Sequence, residues 1–315
     1  MIRKAFIVGL KGKKLSSNEI IFIKNQKPWG IILFSRNIED LNQLKLLIKN
    51  IRKIVDDKKY PIIIDQEGGR VSRLNNIIDL SVFSQGYFGN LYKKNKKLFL
   101  EYYKLYIEVV CEIMNEVGIN INTAPVLDVF RKTSHNIIGD RSFSSDPKIV
   151  TEIGNLCISL YKQKKIATVL KHIPGHGLAK FDSHLKLEQI KEKKKILIDK
   201  DFKPFKNCKS LFAMTAHLIY KDFDKIFTTT HSKFVIKEII RKKIGFKGIL
   251  ISDDISMKSL KYGLTNNAVM ALKAGCNLVL HCNGNINEMM KLSKVIPRMD
   301  EFTQKKTSQF YNFLG

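Results

Sequence analysis

Gly248-Ile249-Leu250-Ile251-Ser252-Asp253-Asp254 is a short apolar run that stops abruptly at two carboxylates. So short a run reads as a strand buried on both faces, and its acidic end as the point where the strand leaves the core. The same signature recurs: runs 6–10, 30–34, 61–65, 119–127, 166–172, 211–217, 248–253 and 277–282 all read as strands. Between them, 41–55, 99–117, 147–165, 232–244 and 266–274 carry helical apolar spacing, several with a Gly just beyond the last turn. Buried strands alternating with amphipathic helices predict a parallel sheet covered by helices, and eight such units fit an α/β (β/α)8 TIM barrel better than a doubly wound sheet. Residues 191–203 read as a charged helical surface stretch, and the tail from Asp300 as a terminal helix or frayed end. No boundary stands out, so residues 1–315 are expected to form a single barrel domain.

A barrel places chemistry at the C-terminal ends of its strands. Polar residues gather there: Asp65 after PIII, Asp128 after PVL, Lys171 and His172 after ATVL, His217 after FAMTA, Asp253 after ILIS and His281 after LVL. Any one of these could be a strand-end cap; together they outline a site.

Composition narrows the function classes. With 44% hydrophobic residues in 315, the chain can bury a sizeable core without disulfide staples. The five cysteines form no CxxC pair, which excludes a zinc ribbon and a disulfide framework. The apolar stretch 5–10 is too short for a signal sequence and no run reaches membrane-spanning length, so a cytoplasmic location with no membrane partner is expected. The formal charge is +26, yet the lysines are spread over nearly every helix instead of concentrated in one arm or interleaved with aromatics. That spread reads as a solvated surface with the Lys, Ile and Asn bias of an AT-rich genome, not a specific nucleic-acid site.

Four constellations carry chemistry. Residues 171–184, KHIPGHGLAKFDSH, hold three of the seven histidines. His172, His176 and His184 lie on a strand end, a Gly-rich turn and a loop instead of along one face of a helix, so no metal site is expected. Pro174, Gly175 and Gly177 predict a tight turn that turns Lys171 and His172 inward; the residues alone leave His176 open between a structural and a functional role. Asp182, two residues before His184, can bond one imidazole nitrogen, fix its tautomer and leave the other free to move a proton. In the second constellation, 252–257, strict alternation would let only one of Asp253 and Asp254 face the barrel axis, making one a candidate nucleophile and the other a cap. The third, 65–73, follows the carboxylate of Asp65 with a Gly pair and two arginines, and the fourth is IGDRSF at 138–143. Such a gathering of carboxylates, cations and imidazoles suits a polyhydroxylated, partly anionic small molecule.

IILFSRN, IIIDQEGGRVSR, INTAPVLDV, IGDRSF, KHIPGHG with DSH, MTAH, GFKGILISDDISM and AGCNLVL follow one another from about residue 30 to 282, and in that order they resemble the blocks of family-three glycoside hydrolases. The similarity is to the bacterial single-domain β-N-acetylglucosaminidases of peptidoglycan recycling. It implies a retaining double displacement through a covalent glycosyl-enzyme, without metal or cofactor. By matching motifs, it implies Asp253 as nucleophile and the Asp182–His184 dyad as general acid and then base. Asp65, Arg73, Arg141, Lys171 and His172 fall on positions that bind the terminal N-acetylglucosamine, which leaves His176 to hold the turn.

The expected partner is a small carbohydrate, a muropeptide fragment, acted on by a monomer. A nucleophilic Asp253 near Lys171 should stay ionised, and a histidine acid/base suits neutral pH. A neutral imidazole also repels an attacking anion less than a carboxylate does, which leaves a phosphorylase as the alternative; a family-three β-glucosidase and a sugar- or polyanion-binding protein are further ones. The sequence departs from the family pattern at MKSL after the nucleophile, at His281 ending strand eight and at LKLEQI after DSH, which touches loop behaviour and aglycone preference, not the reaction.

Overall fold

The computed structural model describes residues 3–132, 138–179 and 187–315. Among the described residues ten strands are formed, in chain order β1 (Lys4–Gly9), β2 (Pro28–Leu33), β3 (Ile62–Ile64), β4 (Ile121–Asn122), β5 (Ala167–Ile173), β6 (Glu188–Ile190), β7 (Phe212–Thr215), β8 (Leu218–Tyr220), β9 (Ile249–Asp254) and β10 (Leu278–His281). Eight of them close into a parallel barrel in the order β1-β10-β9-β7-β5-β4-β3-β2. β6 and β8 form a separate two-stranded parallel ladder that the sequence reading does not contain. The architecture is therefore the expected TIM barrel, each of the eight expected runs contributing one barrel strand.

Strand bounds differ from expectation most at 119–127, where only Ile121 and Asn122 make regular pairing. Pro125 has no N–H to give the ladder, so the segment continues only as a bridge from Val126 to Lys171. Helices Leu41–Val55, Lys96–Val117, Pro147–Gln163, Val235–Ile244 and Leu264–Ala274 cover the barrel where apolar spacing predicts them. Helices Ser17–Gln26, Gln85–Lys94 and Ile286–Val295 were not expected. The first is set by a capping box: the Ser16 hydroxyl accepts from the Glu19 N–H, and the Glu19 carboxylate accepts from the Ser16 N–H at 2.8 Å.

The C-terminal tail is a helix, Glu301–Leu314, capped by Asp300 and laid across the N-terminal mouth of the barrel. Trp29 of β2 packs edge-on to Phe212 of β7, 5.5 Å between ring centroids, and both rings meet Phe310 of this helix. The Trp29 indole N–H donates to Thr307 Oγ1 at 2.9 Å, so the buried ring keeps its polar end satisfied. With that mouth plugged, the free end of the barrel is the C-terminal one. Among the described residues no helix is long and apolar enough to cross a membrane.

Candidate active site

A cavity of about 130 Å³ opens at the C-terminal ends of the strands, lined on its polar side by Asp65, Arg73, Arg141, Lys171, His172, His176, Asp253 and Asp254. Within the described segments, every residue that the family resemblance placed in the site therefore lies at one place, while the strand-end residues Asp128, His217 and His281 do not line it. Asp182 and His184 fall outside the described residues.

One wall is an ion-pair network built from β3, β5 and the 139–141 turn. The Lys171 ammonium donates to Asp65 Oδ1 at 2.5 Å and to Thr123 Oγ1 at 2.9 Å, and pairs with Glu67 Oε1 at 2.5 Å. Arg141 grips Glu67 through two parallel bonds of 2.8 Å, and Arg73 reaches Asp65 Oδ2 at 3.0 Å. Burial alone would raise the Asp65 carboxyl, but Lys171, then Arg73, and the hydrogen bonds from Lys171 and Thr123 hold it far below the usual carboxylate range. Glu67 is buried as well and is likewise held low, by Arg141 first and Lys171 next. Both carboxylates are thus fixed acceptors, their cations oriented toward the cavity.

Local sequence explains the geometry. After β3 the chain doubles back over Glu67 to Val71, with the Glu67 N–H on the Val71 carbonyl at 2.9 Å. Gly68 takes φ 91° against the Phe83 carbonyl and the Tyr106 hydroxyl, where a Cβ has no room. Gln66, wholly buried, accepts from the N–H groups of Arg73 and Leu74 at 2.8 and 3.2 Å, and its own backbone is clasped by the Asn122 side chain at 3.0 and 2.8 Å. Sequence reasoning gave Glu67, Gln66, Asn122 and Thr123 no role.

Lys171 and His172 are consecutive, yet both line the cavity; the β5–β7 register shifts between Leu170 and Ile173, which breaks strict alternation. The same device operates at β9. Its register against β10 shifts between Leu278 and Leu280, so Asp253 and Asp254 both border the cavity, contrary to the expectation that only one would. Their environments still separate them. Asp254 accepts from the Ser256 N–H at 3.0 Å and from its hydroxyl, as a cap does, while Asp253 accepts from the Asp254 N–H at 2.8 Å.

The remaining strand-end histidines do other work. His217 is buried with Nδ1 on Thr230 Oγ1 at 2.7 Å and Nε2 on the Asp254 carbonyl at 3.0 Å, which steadies the end of β9 from behind. His281 turns to Glu288, 2.8 Å away. Asp128 lies behind His172, its Oδ2 2.7 Å from Nδ1. His176 sits edge-on to His172 and is pushed down to about 4 by burial and by that neighbouring ring, so it is neutral near pH 7. The Lys171 charge, which the sequence reading turned toward Asp253, is engaged by Asp65 and Glu67. Among the described residues no group of three His, Cys, Asp or Glu side chains could hold a metal ion.

Comparison with known proteins gives this site a lineage. The model of the glycosyl hydrolase family 3 N-terminal domain matches residues 6–309. A β-hexosaminidase of Haemophilus influenzae is 34% identical over 289 residues, covering 89% of this chain and 79% of that protein. One of Hydrogenovibrio crunogenus is 35% identical over 294 residues, covering 92% and 81%. The crystal structure of NagZ from Neisseria gonorrhoeae in complex with N-trifluoroacetyl-D-glucosamine superposes with a TM-score of 0.88 at 26% identity, covering 98% of this chain and 90% of that one. The chain belongs to glycosyl hydrolase family 3 and is a glycoside hydrolase.

Proposed function

We propose that the protein is a retaining exo-β-N-acetylglucosaminidase that removes terminal β-linked N-acetylglucosamine from peptidoglycan fragments. Asp253 is the nucleophile, and the Asp182–His184 pair supplies the acid and then the base. The observation that carries the reading is the one-ended cavity: Asp253 shares it with Asp65, Arg73, Arg141, Lys171 and His172, a set able to hold the hydroxyl and amide groups of a single sugar ring. Kinship to proteins named β-hexosaminidase and to a NagZ seen with an N-acylglucosamine supports the choice of sugar. In this scheme the Asp253 carboxylate attacks the anomeric carbon while His184 protonates the departing oxygen; a water deprotonated by the same histidine then releases the sugar with its original configuration.

The deciding assay is release of 4-nitrophenol at neutral pH from the β-N-acetylglucosaminide and from the β-glucoside, with and without phosphate. Preference for the N-acetyl sugar is expected, with no sugar 1-phosphate formed; a phosphate-dependent rate would make the enzyme a phosphorylase, and cleavage of neither glycoside overturns the assignment. Asp253→Ala should lower turnover by at least about a thousandfold while sugar binding persists, as removal of a nucleophile does. Appreciable residual turnover would show that another carboxylate attacks.

A further inference from the structure

Asp128 does not itself line the cavity, yet its carboxylate takes four contacts from His172 and His176, which do. It is wholly buried, and its Oδ1 takes the His176 N–H at 2.6 Å and the His172 N–H at 3.1 Å. Its Oδ2 faces the His172 ring, 2.7 Å from Nδ1, with a longer 3.3 Å approach to the His172 N–H. The two backbone donors cannot change into acceptors, so they fix which oxygen is which. Oδ1 belongs to the main chain and Oδ2 is left for the imidazole.

We infer that Asp128 is a positioning residue for the glycosidase reaction, selecting the His172 tautomer that carries its proton on Nδ1 and so presents the Nε2 lone pair to the sugar. A carboxylate can only accept, which obliges Nδ1 to donate; in the neutral ring Nε2 then becomes an acceptor for a sugar hydroxyl. Among the described residues His172 Nε2 has no hydrogen-bond partner, and His172 lines the cavity. The His176 ring, 5.4 Å away at 60°, closes the other side and limits rotation of the imidazole. The inference rests on the N-acetylglucosaminidase reading only in its choice of sugar.

Asp128→Asn tests it sharply, because the substitution has a determined outcome. The His172 and His176 N–H groups hold the amide oxygen at the Oδ1 position, which forces the amide NH₂ toward His172 Nδ1. The ring must then accept at Nδ1 and carry its proton on Nε2, turning an acceptor toward the sugar into a donor. The value of kcat/KM for 4-nitrophenyl β-N-acetylglucosaminide should fall roughly 10- to 100-fold, the range that one mispaired buried hydrogen bond carries. In a His172→Ala background the same Asp128→Asn change should cost less than about twofold, because it acts through the ring that has been removed. Long-range ¹H–¹⁵N spectra of the imidazoles at mildly alkaline pH should show His172 as Nδ1–H in the wild type and as Nε2–H in the variant.

Equal losses in both backgrounds, or Nε2–H in the wild type, overturn the assignment. Should Asp128→Asn fail to fold, the wild-type spectrum decides alone. The tautomer is read without turnover, so a protein that cleaves no N-acetylglucosaminide would defeat the proposed function and leave this inference to the spectrum.

Discussion

Glu67 shows how much of the site depends on a side chain with no assigned chemistry. Its carboxylate is buried with two cations, Arg141 and Lys171, that leave water with it. Removing one member of such a group leaves uncompensated charge in a poorly solvated place, which costs more than the pair itself contributes. Glu67→Gln keeps the shape and deletes the charge, so urea unfolding should show a loss of about 3 kcal/mol and kinetics a raised KM as Arg141 and Lys171 drift. Glu116, paired with Lys45 on the surface and half exposed, is the comparison: Glu116→Gln should change stability by less than about 1 kcal/mol. Equal costs would show that burial is not what matters at Glu67. The sequence could not reveal this role, because Glu67 stands one residue from a glycine pair and its partner Arg141 lies 74 positions away. Asp65, Lys171, His172 and Asp253 were legible because each ends a strand, where a barrel gathers its chemistry; the buried links behind them, such as Asp128 to His172 across 44 positions, carry no local signal.

Helix Gln85–Lys94 is the element that brings Arg141 to the cavity, and it does so through contact at its glycines. Gly89 lies so close to the Phe143 carbonyl that a Cβ would enter its van der Waals shell, and Gly86, one turn earlier, stands against Asp140. Gln85 at the head of the helix bonds the Arg141 carbonyl and accepts from the Val126 N–H at 3.0 Å, tying β4's continuation to the 139–141 turn. Gly89→Ala should therefore push the helix from the turn at a cost of about 1–3 kcal/mol. Displacement of Arg141 should lower kcat/KM by up to about a hundredfold. Gly12, where a Cβ meets nothing within 4 Å, should tolerate alanine with neither effect, and a Gly89 variant that behaves the same way would refute the packing argument. This helix escaped the sequence reading because QGYFGNLYKK holds two helix-weakening glycines, which local propensity counts against it and tertiary packing requires. The barrel strands were legible for the opposite reason, being apolar on both faces; the register shifts in β5 and β9 were not, because a bulge depends on the neighbouring strand and not on its own residues.

At the scale of the whole molecule, closure of β1 onto β10 makes the barrel one structure, and the folded chain buries imidazoles whose hold on a proton is weakened. His176 and His231 are each pushed down to about 4, by burial first and by a neighbouring histidine next, and His217 is lowered by burial as well. With a folded pKa below the unfolded value near 6.5, each binds more protons when unfolded between about pH 6.5 and 4. Their contribution to stability is complete above pH 6.5 and is lost as the pH falls. Near pH 5 the loss is on the order of 2 kcal/mol for each of the two groups at about 4, or about 4 kcal/mol together. Asp201, whose buried carboxyl is raised, offsets part of it. The depressed carboxylates Asp65, Glu67 and Asp128 add a second loss of the same sign, confined to pH values below the ordinary carboxylate range. Urea titrations at pH 7 and pH 5 should show the first step. In His231→Gln, whose side-chain amide can still reach the Asn267 carbonyl that His231 Nε2 meets at 3.1 Å, about half of the difference should disappear. Equal stabilities at the two pH values would mean that these rings gain protons without unfolding, and the buried-histidine account of acid sensitivity would fail.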